Sequence, residues 1–181
     1  MDIEQIKQVY DFTGRTFIMT GGSGMLGTGI VLALAGLGAN VAILGRHLDS
    51  SQAVVERMGT AKGRGLAVEG DVLDRQSLIA AAATVAEHFG GIDGLINGAG
   101  GNRPAATTGP DLGFFDLREE ALRFVFDLNL LGTILPCQVF GRPMAERGEG
   151  VILNFSSMNA FRPLTRIPAY SAAKAGISNF T

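Results

Sequence analysis

Tyr170 and Lys174 stand four residues apart, and on a helix that spacing puts both side chains on one face. A free tyrosine has a pKa of about 10, too high for ready proton exchange near neutrality. A lysine cation beside it favours the phenolate and pulls that value down. Tyr170 could then give a proton to a carbonyl oxygen undergoing reduction, or take one from a hydroxyl undergoing oxidation. Ser157 lies thirteen residues earlier, after an apolar run that reads as a strand. Its hydroxyl can hydrogen-bond the same oxygen and hold it toward Tyr170. Each residue alone is commonplace: tyrosine on a helix usually packs, a lysine one turn on is usually solvated, and a serine pair after a strand is usually a turn. The combination points to chemistry.

Carbonyl reduction also needs a hydride, and a second segment offers a place for its carrier. Thr20-Gly21-Gly22-Ser23-Gly24-Met25-Leu26-Gly27 falls between a short apolar run and a helical pattern. Gly21 permits a tight turn, Gly24 lets the backbone approach a pyrophosphate, and Gly27 lets the helix pack on the sheet. The helix start then offers unpaired amides and a positive dipole end to the phosphates. The cofactor-binding set expected here is Gly21, Ser23, Gly24, Met25, Leu26 and Gly27. The second strand ends Leu44-Gly45-Arg46. The acid that would hold the ribose hydroxyls of NAD is missing. A guanidinium suits a 2′-phosphate, and Gly45 leaves room for one. NADP is therefore the expected cofactor, with NAD the alternative if Arg46 is only a solvated charge.

The elements that must position these residues alternate. Apolar runs at Thr16–Thr20, Val41–Leu44, Gly65–Glu69, Gly94–Ile96 and Val151–Phe155 read as strands. Helical patterns cover Gly24–Leu37, Ser50–Met58, the stretch from the Asp74 cap to Phe89, and most of Leu117–Arg147, and a last helix begins near Tyr170. Strands apolar throughout and separated by helices predict a parallel sheet covered on both faces. The expected fold is a single α/β domain, residues 1–181, with a Rossmann-type, doubly wound parallel sheet. Pro136 and Pro143 stand inside the long helical stretch, so it either kinks there or is two helices. The Gly- and Pro-rich loop Gly100–Gly113 is expected over a site. A doubly wound sheet usually carries one or two more strands than are found here, so the chain reads as a piece, or the ordered part, of a longer protein lacking C-terminal strands.

With these segments in view, the chain resembles the short-chain dehydrogenase/reductase family over nearly its whole length. The motifs fall in the family's order: the glycine-rich turn, Asp71-Val72 after the third strand, Asn97-Gly98-Ala99-Gly100 after the fourth, Asn129 within Asp127-Leu128-Asn129-Leu130-Leu131-Gly132, then Ser157 and Tyr170-Ser171-Ala172-Ala173-Lys174. The resemblance implies an NAD(P)-dependent oxidoreductase. It implies that Ser157, rather than Ser156, is the catalytic serine, and that Lys174 also bonds the nicotinamide ribose. Asn129 would help hold a water linking Lys174 to solvent. Asp71 and Val72 would flank the adenine, and Asn97, Ala99 and Gly100 would line the cofactor and support the fourth strand. One departure concerns the turn: the family's common pattern has glycine at Met25, whereas here it is one earlier, at Gly24, as in the extended branch.

The segments Asn97-Gly98-Ala99-Gly100-Gly101-Asn102-Arg103-Pro104 and Ser156-Ser157-Met158-Asn159-Ala160-Phe161 resemble the family's D-mannonate oxidoreductase (fructuronate reductase) group. That implies a keto or hydroxyl group on a sugar acid as substrate, met by Ser157, Asn159 and Tyr170, with Arg103 or Arg162 as the cation for its carboxylate. A dienoyl-CoA-type reductase shares the Ala-Gly-Asn loop, and a non-catalytic dinucleotide-binding protein is the third alternative. Homodimers or homotetramers, through the helices bearing Asn129 and Tyr170, are usual in the family.

Bulk properties fit this reading. The 181 residues are 46% hydrophobic with a net charge of −2. The charges form no basic patch, which argues against nucleic acid. No apolar run reaches the roughly 18 residues of a membrane span. The start Met1-Asp2-Ile3-Glu4 is acidic and unlike a secretory signal. The single cysteine, Cys137, forms no internal disulfide, and a cytoplasmic location is the default. No His, Cys and acid spacing suggests a metal.

Overall fold

The structure, a computed structural model, describes residues 2–181; Met1 of the acidic start lies outside them. The chain runs α1 (Ile3–Val9), β1 (Thr16–Thr20), α2 (Met25–Gly36), β2 (Asn40–Gly45), α3 (Leu48–Met58), β3 (Gly65–Glu69), α4 (Arg75–Phe89) and β4 (Gly94–Asn97). It continues with α5 (Glu119–Phe126), α6 (Gly132–Arg147), β5 (Val151–Asn154) and α7 (Pro168–Phe180). All strand pairs are parallel, in the order β3-β2-β1-β4-β5. The chain winds outward from β1 to β3, then returns to place β4 on β1's other side. That reversal is the topological switch point, where ligands bind beyond the strand ends in such sheets.

Alternate side chains of each strand face opposite ways, and both faces are apolar. Ile18, Ala42, Leu44 and Leu95 pack with Leu78, Ala81 and Val85 of α4 and Phe140 and Met144 of α6. Phe17, Met19, Val41, Ile43 and Ile96 pack with Val31 and Ala35 of α2 and Val54 and Met58 of α3. These two layers are the doubly wound, single-domain fold expected. The Asp74 carboxylate accepts the Gln76 amide at the start of α4, and Gly90, at φ 88°, ends it.

The long helical stretch departs from expectation. Both prolines lie inside α6, and the chain stays helical through each. The irregularity sits earlier, in a π turn over Asp127–Leu131, where the Gly132 amide bonds the Asp127 carbonyl five residues back. A short helix that sequence reading missed, α1, begins in a reciprocal cap between Asp2 and Gln5. The whole run Glu119–Arg147 is long and apolar enough, by length and composition, to cross a membrane; here Val125, Phe140 and Met144 turn it into the core.

Candidate active site

The turns after β1, β2 and β4 meet at the C-terminal edge of the sheet. Gly21, at φ 67°, makes the turn after β1, and a Cβ there would come within 2.8 Å of the Ala99 amide nitrogen. A Cβ on Gly27 would strike the Gly21 carbonyl oxygen, so bare glycine lets α2 start against the turn. Thr20, fully buried, fixes the two turns together: its hydroxyl accepts the amides of Gly98 (3.2 Å) and Ala99 (3.1 Å). Sequence reading passed over Thr20, because its role depends on β1 and β4 being neighbours.

Around this junction lies a cavity of about 400 Å³. Gly21, Ser23 and Gly24 form one wall, Gly45 and Arg46 the end of β2, Asp71 and Val72 the turn after β3, and Ala99 and Gly100 the turn after β4. His47, Ser50, Phe124 and Leu128 also line it and were not anticipated. Ser50 bonds the His47 carbonyl at 2.7 Å and meets the Ser23 hydroxyl at 3.4 Å, which brings α3 to the glycine turn. Asp71 accepts the Leu73 amide at 2.9 Å. Met25 is the first residue of α2 and is 95% exposed.

A second cavity, of about 190 Å³, shares Gly98 and Gly100 with the first and is lined by Leu26, Gly27, Ser156, Tyr170 and Lys174. Pro168 opens α7, so Tyr170 and Lys174 fall in its first two turns. Lys174 is 5% exposed; its ammonium donates to the Phe155 carbonyl at 2.7 Å and lies 5.7 Å from the centre of the Tyr170 ring. Burial holds its pKa below the usual lysine value. The serine pair divides its labour. Ser156 bonds the Lys174 carbonyl (3.0 Å) and the Ser178 hydroxyl (2.6 Å), tying β5 to α7. The Ser157 hydroxyl accepts the Asn159 amide at 3.2 Å, its only partner among the described residues.

Three of the expected residues have defined partners. Asn129 is fully buried in the π turn, and its side chain is committed to backbone: Nδ2 donates to the carbonyls of Gly101 (2.7 Å) and Val125 (2.8 Å), and Oδ1 accepts the Gly101 amide (3.0 Å). It holds the Gly100–Gly101 turn, and its Oδ1 and the Lys174 ammonium both border Gly100. Asn97 is not among the residues that line the larger cavity. It is 2% exposed and donates to Asn154 Oδ1 (2.9 Å) and Cys137 Sγ (3.2 Å), so it joins β4 to β5 and α6. Arg103 stacks its guanidinium over Phe124, 3.2 Å from the ring centre.

These surfaces fit a dinucleotide. A glycine turn that admits no Cβ opens onto a helix start, beside a cavity with Arg46 at one end and Lys174 beyond the other. Residues 15–181 match the short chain dehydrogenase family. The chain belongs to that family. An uncharacterised oxidoreductase, UxuB, of Bacillus subtilis is 45% identical over 179 residues, covering 94% of this chain and 64% of the relative. D-threitol dehydrogenase of Mycolicibacterium smegmatis is 33% identical over 96% of this chain and 65% of its own. A crystal structure of a candidate D-mannonate oxidoreductase from Haemophilus influenzae, with NAD bound, superposes with a TM-score of 0.87 at 38% identity, over 97% of this chain and 66% of that one. The chain thus spans just under two thirds of the length of these short-chain dehydrogenases.

Proposed function

We propose that the protein transfers a hydride between NADP(H), or alternatively NAD(H), and a keto or hydroxyl carbon of a small sugar acid of the fructuronate/mannonate type. The observation that carries this is the placement of Tyr170 and Lys174, one turn apart on α7, in a cavity adjoining the glycine-lined one at the switch point of the sheet.

A dinucleotide held by Gly21, Ser23, Gly24 and Arg46, with its nicotinamide end toward Lys174, would supply or accept the hydride. The chain's own groups handle the oxygen and its proton. Ser157 donates a hydrogen bond to the substrate oxygen, and Tyr170 gives that oxygen its proton in reduction or removes it in oxidation. Lys174, oriented by the Phe155 carbonyl, puts a positive charge beside the Tyr170 ring. Asn129 keeps Gly100 and Gly101 in place; a Cβ on Gly100 would crowd Asn129 Oδ1 at 2.8 Å and Lys174 Nζ at 3.4 Å. Arg46, beside Gly45 and with no acid at the end of β2, supports NADP. The NAD in the Haemophilus structure supports the alternative, and that structure's name supports a sugar acid.

The test is the oxidation of NADPH and NADH against a panel of keto-acids and sugar acids, with Tyr170→Phe as the variant. Tyr170→Phe should lower turnover by about 10³-fold, within the usual range for a lost acid–base group, while the cofactor still raises the melting temperature. Full turnover in Tyr170→Phe would overturn the mechanism.

A further inference from the structure

Asn159, whose amide bonds Ser157, is also a wall of a third cavity, of about 540 Å³. It opens between the loop at Thr108, the loop at Thr165-Arg166 and the first turns of α7, and no acidic residue lines it. Two of its wall residues are unusual. Ser171 is 5% exposed, and its hydroxyl has no hydrogen-bond partner. Arg166, at φ 85°, is the one non-glycine residue at positive φ among those described. A non-glycine residue persists there only where its surroundings over-determine it. Here the Thr108 amide donates to the Arg166 carbonyl at 2.8 Å and locks one loop to the other. The Arg166 guanidinium itself makes no ion pair or hydrogen bond among the described residues. A cation with no protein partner among the described residues, Ser171 and the N-terminal turn of a 13-residue helix thus line one cavity, which Asn159 links to Ser157.

We propose that this cavity takes the carboxylate end of the substrate, with Arg166 as the cation that selects it and Ser171 as a hydroxyl in its wall. The inference rests on the hydride-transfer reading above and assigns the carboxylate to a residue other than Arg103 or Arg162, neither of which lines this cavity. Arg166 is a specificity residue and touches no reacting atom.

The test uses the protein with NADP⁺ bound and three variants: Arg166→Met, Arg166→Lys and Arg166→Gly. Glycine accepts the positive φ without strain and so keeps the loop while removing the guanidinium. The probes are D-mannonate and the neutral D-mannitol, titrated by calorimetry into the Tyr170→Phe protein and followed kinetically in the parent. Arg166→Met and Arg166→Gly should each weaken D-mannonate binding by about 30-fold, the loss of a charge-assisted contact. They should raise KM with kcat within about threefold and leave D-mannitol unmoved, and Arg166→Lys should recover part of the loss. Unchanged D-mannonate binding in both variants, or an equal loss for both probes, overturns the proposal. So does a protein that oxidises neutral alcohols and binds no hexonate, which leaves the hydride-transfer reading standing. Full turnover by Tyr170→Phe overturns that reading, while the calorimetric arm still decides the role of Arg166.

Discussion

At the scale of single residues the site turns on a buried ammonium. Lys174, on α7, has the Phe155 carbonyl as its hydrogen-bond partner and lies almost out of solvent. Burial disfavours the charged form, so its pKa in the folded chain lies below the 10.5 of an ordinary lysine. Below the folded value both states carry the charge, and the folded state bears the desolvation cost. As pH rises through the folded value toward 10.5, the folded chain loses the proton first and the cost is relieved. The contribution of Lys174 to stability therefore increases with pH across that window, while turnover, which needs the cation, falls over the same range. Lys174→Met should remove this alkaline increase in stability and lower turnover by about 100-fold or more. Denaturant melts and rate profiles at several alkaline pH values check both halves. An unchanged alkaline slope in the variant would show that the cost is not borne by Lys174.

At the scale of elements, the junction between the glycine turn and α2 carries the proposed cofactor surface, and it has no slack. A Cβ on Gly27 meets the Gly21 carbonyl and comes 2.8 Å from Gly22 Cα, both backbone. Gly27→Ala should thus force α2 off the turn, with a loss of about 1–3 kcal/mol typical of overpacking and NADPH affinity down at least about tenfold. Chemical denaturation and a fluorescence titration of NADPH measure the two; a change below about 0.5 kcal/mol would show that the turn can yield. This junction was legible in the sequence because its requirements are local: a strand, glycines at fixed offsets, a helix. The strands were legible for a similar reason, since a buried parallel strand shows as an unbroken apolar run, as at Thr16–Thr20. Helix α7 and the facing of Tyr170 and Lys174 followed from helical period. What was not legible depends on contacts across the chain. The prolines suggest a break in α6, but the π turn lies where Asn129 reaches Gly101, 28 residues away. The inward turn of Asn97 depends on β5 and α6, and the left-handed backbone of Arg166 on the Thr108 amide. The α1 cap, Asp2 with Gln5 three residues on, was a readable signal, but seven residues of helix give too little periodicity to notice.

At the scale of the whole molecule, apolar surface remains without a cover. In the run Glu119–Arg147, only 33% of the most apolar 18-residue window is buried. Phe126 and Leu131 stand out from it at 38% and 44% exposure. Exposed apolar patches of this kind mark interaction surfaces. A bilayer is one possible cover, but this helix already packs one side on the sheet through Phe140 and Met144 and carries the π turn that holds Gly101. Inserting it would dismantle the fold. A second copy of the chain, packing helix to helix on the other side, covers the same residues and leaves the site intact. The expected assembly is therefore a homodimer or homotetramer built on the helices around Asn129 and Tyr170. Leu131 lies at the π turn with its side chain outward, so Leu131→Glu places a charge in that contact without touching Asn129. Light scattering at micromolar concentration should give a dimer or larger for the parent and a shift toward monomer for Leu131→Glu, because a buried unpaired carboxylate is costly. A parent that scatters as a monomer, or a variant whose mass is unchanged, would place the contact elsewhere and leave the exposed face of α5 and α6 to another partner.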